Sequence, residues 1–291
     1  NKIKLNIQKF YKLPNEIKHC KLCVTSNQRP RITFDKNGVC SACNFALKKH
    51  TVTDWKKREE ELLILLDRHR SKNGYWDVVV PCSGGKDSVY VAHILKSKYN
   101  MKPLTVTWAP MIYTDVGRRN LQHMIDSGID NITGTPDGKT HRTLTKLSFE
   151  MIGDVFQPFI YGQKSFPMQV AINYGIPLVM FGENGEVEYG GDLKNAEVPS
   201  HNVSDDMIKH YFSGILPDDF IKYGIQKKNL TFYYPPKEEE AKKAGLENHF
   251  FSYYKKWVPQ ENYYYSVENC GFECEPDGRS EGTYSKYASL D

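Results

Sequence analysis

The sequence has no long hydrophobic run. Its longest purely apolar stretches, such as Leu62 to Leu66, fall far short of the roughly 20 residues that a membrane-spanning helix needs. The opening residues, Asn1-Lys2-Ile3-Lys4-Leu5, lack the apolar core of a secretory signal. They also lack an initial Met, so the chain is expected to begin inside its gene product. There is no internal repeat and no low-complexity tract. An even cysteine count is missing too: seven cysteines are present, four of them in two tight pairs near the N-terminus. That pattern argues against a disulfide framework and for a metal in a reducing compartment, so a cytoplasmic location without membrane insertion is expected.

With 291 residues, 40% hydrophobic and 25% charged, the chain matches an ordinary soluble globular composition. It is long enough for one sizeable core and one small satellite module. Net charge is only +4 but unevenly spread. Residues 1–76 carry 17 Lys+Arg against 7 Asp+Glu, and the remainder carries 22 against 28. A basic arm beside an acidic body suits RNA or an anionic small substrate, and equally suits a solvated surface.

The pattern divides the chain into four parts. Residues 1–53 read as a small loop-rich module, 54–76 as a connector helix headed by Asp54 and ended by Asn73-Gly74, and 77–191 as alternating strand and helix. Residues 192–291 form a less regular remainder, expected to bind substrate or partner and to be incomplete at its C-terminus. In the third part Val78-Val79-Val80, Leu104 to Trp108, Asn131 to Thr133 and Ile176 to Phe181 read as strands. Helices are expected between them, at Asp115–Ser127, Thr140–Asp154 and Phe166–Tyr174. Such alternation predicts an α/β fold, a doubly wound parallel sheet with helices on both faces. Ligands in such sheets sit at the carboxyl ends of strands, here Ser83–Ser88, Trp108–Tyr113 and Gly182–Gly191.

Two C-x-x-C turns, Cys20-Lys21-Leu22-Cys23 and Cys40-Ser41-Ala42-Cys43, lie sixteen residues apart. Together they offer four soft thiolates, the ligand set of a closed structural zinc site. Arg31 to Phe34 and Asp35 to Gly38 read as a strand and turn that bring the two knuckles together. His19 is read as a polar neighbour rather than a ligand.

The stretch Pro81-Cys82-Ser83-Gly84-Gly85-Lys86-Asp87-Ser88 follows the first buried strand and opens a helix. Adjacent glycines let the backbone approach an anion, and first-turn N–H groups and the helix dipole favour one. Ser83 and Ser88 add hydroxyls and Lys86 adds charge. Asp87 makes sense beside a phosphate only with Mg²⁺ between them or as a cap of backbone donors. The G-x-x-x-x-G-K-[ST] loop is excluded, because Val80 stands at its first Gly and Asp87 at its Ser/Thr. The dinucleotide pattern G-x-G-x-x-G fails as well.

The hexapeptide S-G-G-x-D-S after a buried strand resembles the loop of the PP-loop ATP pyrophosphatases. That likeness implies an adenine nucleotide alpha hydrolase-like fold, in which ATP is cleaved between its α and β phosphates. Three longer stretches are similar to the N-acetyl sugar amidotransferases of lipopolysaccharide and O-antigen synthesis. They are "CKLCVTSNQRPRITFDKNGVCSAC", "GQKSFPMQVAINYGIPLVMFGENGEVEYGG" and "HFFSYYKKWVPQENYYYSVENCGFE…RSEGTYSKYASLD". The resemblance implies conversion of a sugar acetamido group into an acetamidino group. The substrate would be an acetamido sugar or its nucleotide conjugate. Ammonia would come from a glutaminase subunit through a cyclase-like barrel subunit, and nucleic acid is not expected as a partner. Such proteins usually continue past the end of this chain into a helical segment.

On this likeness Ser83, Gly84, Gly85, Lys86 and Ser88 bind pyrophosphate, with Asp87 holding Mg²⁺. Trp108 and Gly182 border the nucleotide. Lys86, Asp87, Glu183 and Asn184 are the expected catalytic set. Gln163, Lys164, Glu186 and Tyr189 are the expected substrate contacts, and Glu188 is a weaker candidate. The aromatic run Tyr253-Tyr254-Lys255-Lys256-Trp257 reads either as a stacking face for a sugar nucleotide or as packing. Two other readings stay open: a tRNA-thiolating PP-loop enzyme using Cys82, Cys270 or Cys274, and a non-catalytic ATP-gated assembly module.

Overall fold

A computed structural model of the chain describes residues 4–193, 196–201 and 211–276. Among the described residues six strands form one sheet: β1 (Val78–Pro81), β2 (Pro103–Trp108), β3 (Asp130–Gly134), β4 (Leu178–Phe181), β5 (Ser200–His201) and β6 (Glu247–Phe250). They lie in the order β3-β2-β1-β4-β6-β5. Every pairing is parallel except that of the two-residue β5, which runs antiparallel to β6. The helices are α1 (Ile7–Phe10), α2 (Ser41–Thr51), α3 (Trp55–His69), α4 (Lys86–Ser97), α5 (Asp115–Asp126) and α6 (Gly138–Ile152). They continue with α7 (Gln157–Asn173), α8 (Gly185–Glu188), α9 (Glu238–Lys243), α10 (Phe251–Tyr254) and α11 (Pro259–Cys270).

The period of two along the strands places a core on each face. Val78 and Val80 of β1 and Leu178 and Met180 of β4 join α3, α4, α10 and α11 on one side. Val79 and Val179 turn the other way, into a second core with β2, α6 and α7. Both faces are therefore covered, which is the doubly wound arrangement. Each fully buried Val or Leu contributes about 1.5–3 kcal/mol by transfer from water, so both cores carry substantial stabilisation. The chain leaves β1 towards β2 on one side and finds β4 on the other. That switch opens a crevice at the carboxyl ends of β1 and β4.

Several elements differ from the pattern. The connector helix stops at His69 rather than at Asn73-Gly74. Arg70 turns to extended backbone, and its guanidinium donates to the carbonyls of Tyr99 (2.8 Å) and Asn100 (2.6 Å). Helix α7 begins at Gln157, nine residues before the expected Phe166, and carries Pro167 inside it. The early start escapes hydrophobic periodicity because several buried positions of its first half hold polar or small residues, Gln157, Gly162 and Ser165. The sheet also extends past residue 191, since β6 pairs with β4 from Leu178↔Glu247 to Phe181↔Phe250. Between the knuckles, the expected strand is a single bridge, Phe34↔Cys40, closed by the turn Asp35–Gly38. No helix among the described residues is long and apolar enough to cross a membrane.

The charge asymmetry is partly satisfied inside the molecule. Arg31, Lys49, Arg58 and Arg68 of the basic N-terminal quarter pair with Glu186, Glu188, Glu197 and Glu247.

Candidate functional site

The loop after β1 is shaped by backbone constraints. Gly84 has φ +71, a conformation that disfavours side chains, and a Cβ there would lie 3.1 Å from the Leu121 backbone. Gly85 is the N-cap of α4 and has no side chain to satisfy the helix's first N–H groups. Val89 N–H makes the first intrahelical bond, to Gly85 O at 3.0 Å. The amides before it form the kind of end that accepts an anion. Ser88 folds back to donate to Gly85 O at 3.0 Å and sits 3.2 Å from the Cys82 thiol. Lys86 is buried and pairs with Asp87.

This loop forms one wall of a cavity of about 380 Å³. Ser83, Gly85, Lys86, Asp87 and Ser88 line that side, and Trp108, Gln163, Lys164, Gly182 and Glu183 line it from β2, α7 and the end of β4. The sequence-derived candidates therefore converge from four separate segments. Phe159, Pro167 and Phe181 add apolar surface that the sequence reading did not single out. Gly84 shapes the loop rather than lining the cavity.

Lys164 and Glu183 carry opposite, complementary perturbations. Burial lowers the Lys164 pKa, opposed by the nearby Glu183 carboxylate. Its ammonium lies 4.2 Å from the Tyr211 ring centroid and 5.2 Å from that of Phe181. Burial raises the Glu183 pKa, and repulsion from Asp87 adds to it, while Lys164 and Lys86 pull it back. Perturbations of this kind, in a cleft at strand ends, mark a site suited to moving protons and holding anions.

The other candidates take supporting positions. Asn184 is buried and caps α8, its Oδ1 accepting from Glu186 N–H at 3.1 Å. Its own N–H donates to Ser252 Oγ at 3.1 Å. Asn184 does not line the cavity; it fixes the turn directly after Glu183. Glu186 accepts a forked pair from Arg31, at 2.6 and 2.8 Å. Tyr189 is exposed, with its hydroxyl 3.4 Å from Glu183 Oε1. Glu188 is buried against Lys49 at 2.6 Å. The aromatic run is used internally. Trp257 and Tyr254 are buried, Arg58 stacks on Tyr253 at 3.5 Å, and Lys255 pairs with Glu59 at 3.0 Å. Trp257 reaches Gly182, where an added Cβ would lie 3.1 Å from its ring. Packing is the reading that this segment takes.

Two supporting residues escaped the sequence reading. Asn262 Nδ2 donates to Asp87 Oδ1 at 2.9 Å, and Ser266 Oγ donates to Lys86 O at 2.8 Å. Both lie one turn apart on α11, far along the chain from the loop they hold. No local signal marks them, because their partners are set by the packing of α11 on α4.

The four knuckle cysteines converge as the spacing predicts. Their sulfurs all lie within 4.8 Å of one another. Cys20 to Cys43 measures 3.9 Å and Cys23 to Cys40 3.6 Å. A tetrahedral zinc with Zn–S near 2.3 Å has S–S edges of about 3.8 Å, so the set fits zinc. Backbone N–H groups of Leu22 and Cys40 point at Cys20 Sγ, at 3.4 and 3.3 Å, which stabilises a thiolate. With four protein ligands the site is closed, as structural zinc sites are. His19 is exposed and is not among the converging ligands.

No family model matches the chain. A search of curated proteins finds an uncharacterised protein of Methanocaldococcus jannaschii, 34% identical over 89 residues. That stretch is 30% of this chain and 31% of the relative, so the match spans about a third of the relative's length. Among solved structures, the NMN synthetase from Francisella tularensis aligns with 12% identity and a TM-score of 0.34, over 77% of this chain and 99% of that one. At that TM-score the fold assignment rests on the sheet topology described above.

Proposed function

We propose that the chain is an ATP-dependent amidotransferase that converts an acetamido group of a bacterial surface-polysaccharide sugar into an acetamidino group. One observation carries the reading. A glycine-bearing loop at the N-terminus of α4 faces Glu183 and Lys164 across one cavity at the carboxyl ends of β1 and β4. The three stretches that resemble N-acetyl sugar amidotransferases supply the substrate class.

In this reading the triphosphate lies along the loop, with its β and γ phosphates on the first-turn amides of α4, Ser83, Ser88 and Lys86. Asp87 and Glu183 face the same cavity, and Asp87 is close enough to raise the Glu183 pKa, a hard-oxygen pair suited to Mg²⁺. The ion would shield phosphate charge when bound. The acetamido oxygen attacks the α-phosphorus and pyrophosphate departs, leaving an O-adenylyl imidate. Ammonia then attacks the imidate carbon and AMP leaves with the former acetamide oxygen. Glu183, with its raised pKa, is placed to accept the proton that the attacking nitrogen sheds. Lys164, in its protonated form, stabilises negative charge at the α-phosphate and on departing AMP. Trp108 and Gly182 wall the nucleotide side, and Gln163 is the exposed polar contact for the sugar. Nitrogen arrives from a glutaminase partner with its barrel subunit.

The cysteines weigh against sulfur transfer. Cys82 is buried and its pKa is raised by that burial; Cys270 is likewise pushed up to about 11. Neither environment favours a reactive thiolate. Cys274 hydrogen-bonds Tyr263 at 2.9 Å.

Mass spectrometry of candidate acetamido sugars incubated with the protein, Mg²⁺-ATP and ammonium tests the proposal. The expected product is lighter by about one mass unit, NH replacing O, with AMP formed in equal amount. AMP release stimulated by bulk tRNA and by no acetamido sugar would replace this reading with tRNA modification.

A further inference from the structure

We infer that the Cys₄ module is a metal-dependent brace for the turn that carries Glu183, with Arg31 as its positioning residue. The inference rests on the role given to Glu183 above. Arg31 lies between the two knuckles and has φ +65, a left-handed conformation that a non-glycine residue holds only where its surroundings impose it. That conformation accompanies a guanidinium fork on Glu186, Nε to Oε2 at 2.8 Å and Nη2 to Oε1 at 2.6 Å. Glu186 Oε2 in turn accepts Asp192 N–H at 2.8 Å, closing the far end of the turn.

Two more ties come from other parts of the module. Arg29 donates to the Gly190 carbonyl, and Ile32 and Ala42 press on Gly190 so closely that a Cβ there would lie 2.9 Å from Ile32. Lys49, buried on α2, reaches Glu188 at 2.6 Å and the Trp257 carbonyl at 2.8 Å. Helix α2 begins at the residue after Cys40 and includes Cys43, so the metal ligands fix its start. Three cations from one module therefore hold residues 186–190, which begin three positions after Glu183.

The module's own interior is too small to hold this geometry unaided. Cys20 and Cys40 are its buried apolar residues, while Ile17, Leu22, Val24 and Leu47 are exposed. A unit of this kind depends on its metal for shape. Release of the metal should free Arg31 and Lys49, and with them the turn.

Amide hydrogen exchange on the full chain tests this without any need for turnover. Arg31→Ala and, from the opposite side, Glu186→Gln should keep their zinc while residues 183–191 lose protection about ten-fold or more. Arg31→Lys should recover part of it, and chelation of the wild type should reproduce it. AMP formation should fall about ten-fold in kcat with KM for ATP within about two-fold, because the loop after β1 is untouched. Unchanged protection of 183–191 in both variants would overturn the brace, as would equal loss throughout β1 and α4. If the amidotransferase reading alone is wrong, wild type forms no AMP from acetamido sugar and ammonia, and the exchange pattern still stands.

Discussion

Glu183 sits where a carboxylate is expensive to ionise. Its raised pKa already includes the attraction of Lys164 and Lys86, so on balance the folded protein disfavours its charge. As pH rises through the ordinary carboxylate range, the unfolded chain loses this proton first and stability falls. Glu183→Gln should therefore raise the melting temperature at neutral pH, with the gain vanishing below about pH 4, where both states come to hold the proton. The same change should cut amidine formation by about 10²–10⁴-fold. Thermal melts across pH, paired with product assays, check both; a variant that is less stable at neutral pH contradicts the assignment. Asn262→Ala removes a donor from Asp87. It should cost about 1 kcal/mol in denaturant titrations and lower kcat more than it raises KM for ATP.

At the scale of elements, α7 decides the width of the cavity. It brings Lys164 to the site by packing Gly162 directly on Trp108, and a Cβ at Gly162 would lie 2.0 Å from the indole. Alanine favours a helix by about 1 kcal/mol over glycine, but overpacking costs about 1–3 kcal/mol. The overlap is with a buried indole, so the second effect should win. Gly162→Ala is expected to lower stability and displace Lys164, read by urea unfolding and by a fall in kcat for amidine formation. A more stable variant with unchanged kinetics would refute this packing role.

The loop 83–88, the strand before it and the zinc knuckles were legible in the sequence because each is local. Glycines, an unbroken β-branched run and C-x-x-C spacing state their purpose within a few residues. Helix α7 was half legible: Gln163 and Lys164 stood out, but the polar and small residues on its buried face, Gln157, Gly162 and Ser165, hid its start. The supports supplied by α11, Asn262 and Ser266, were not legible, since only tertiary packing joins them to the loop. Asn184 shows the converse. Its neighbourhood drew attention, and the structure gives it a capping position rather than a place in the cavity.

For the whole molecule, the basic N-terminal quarter and the acidic body are linked by ion pairs that cross between them. The charge split that suggested an anionic partner is thus partly an internal fastening, and the zinc module is one end of it. What the assembled site is for turns on where the acetamide oxygen goes. The most direct measurement follows ¹⁸O from a labelled acetamido sugar during turnover of Mg²⁺-ATP with ammonia. The label is predicted in the phosphate of AMP, seen as an isotope-shifted ³¹P resonance, with unlabelled pyrophosphate beside it. ADP and orthophosphate as the only spent products, or AMP without label, would contradict the account.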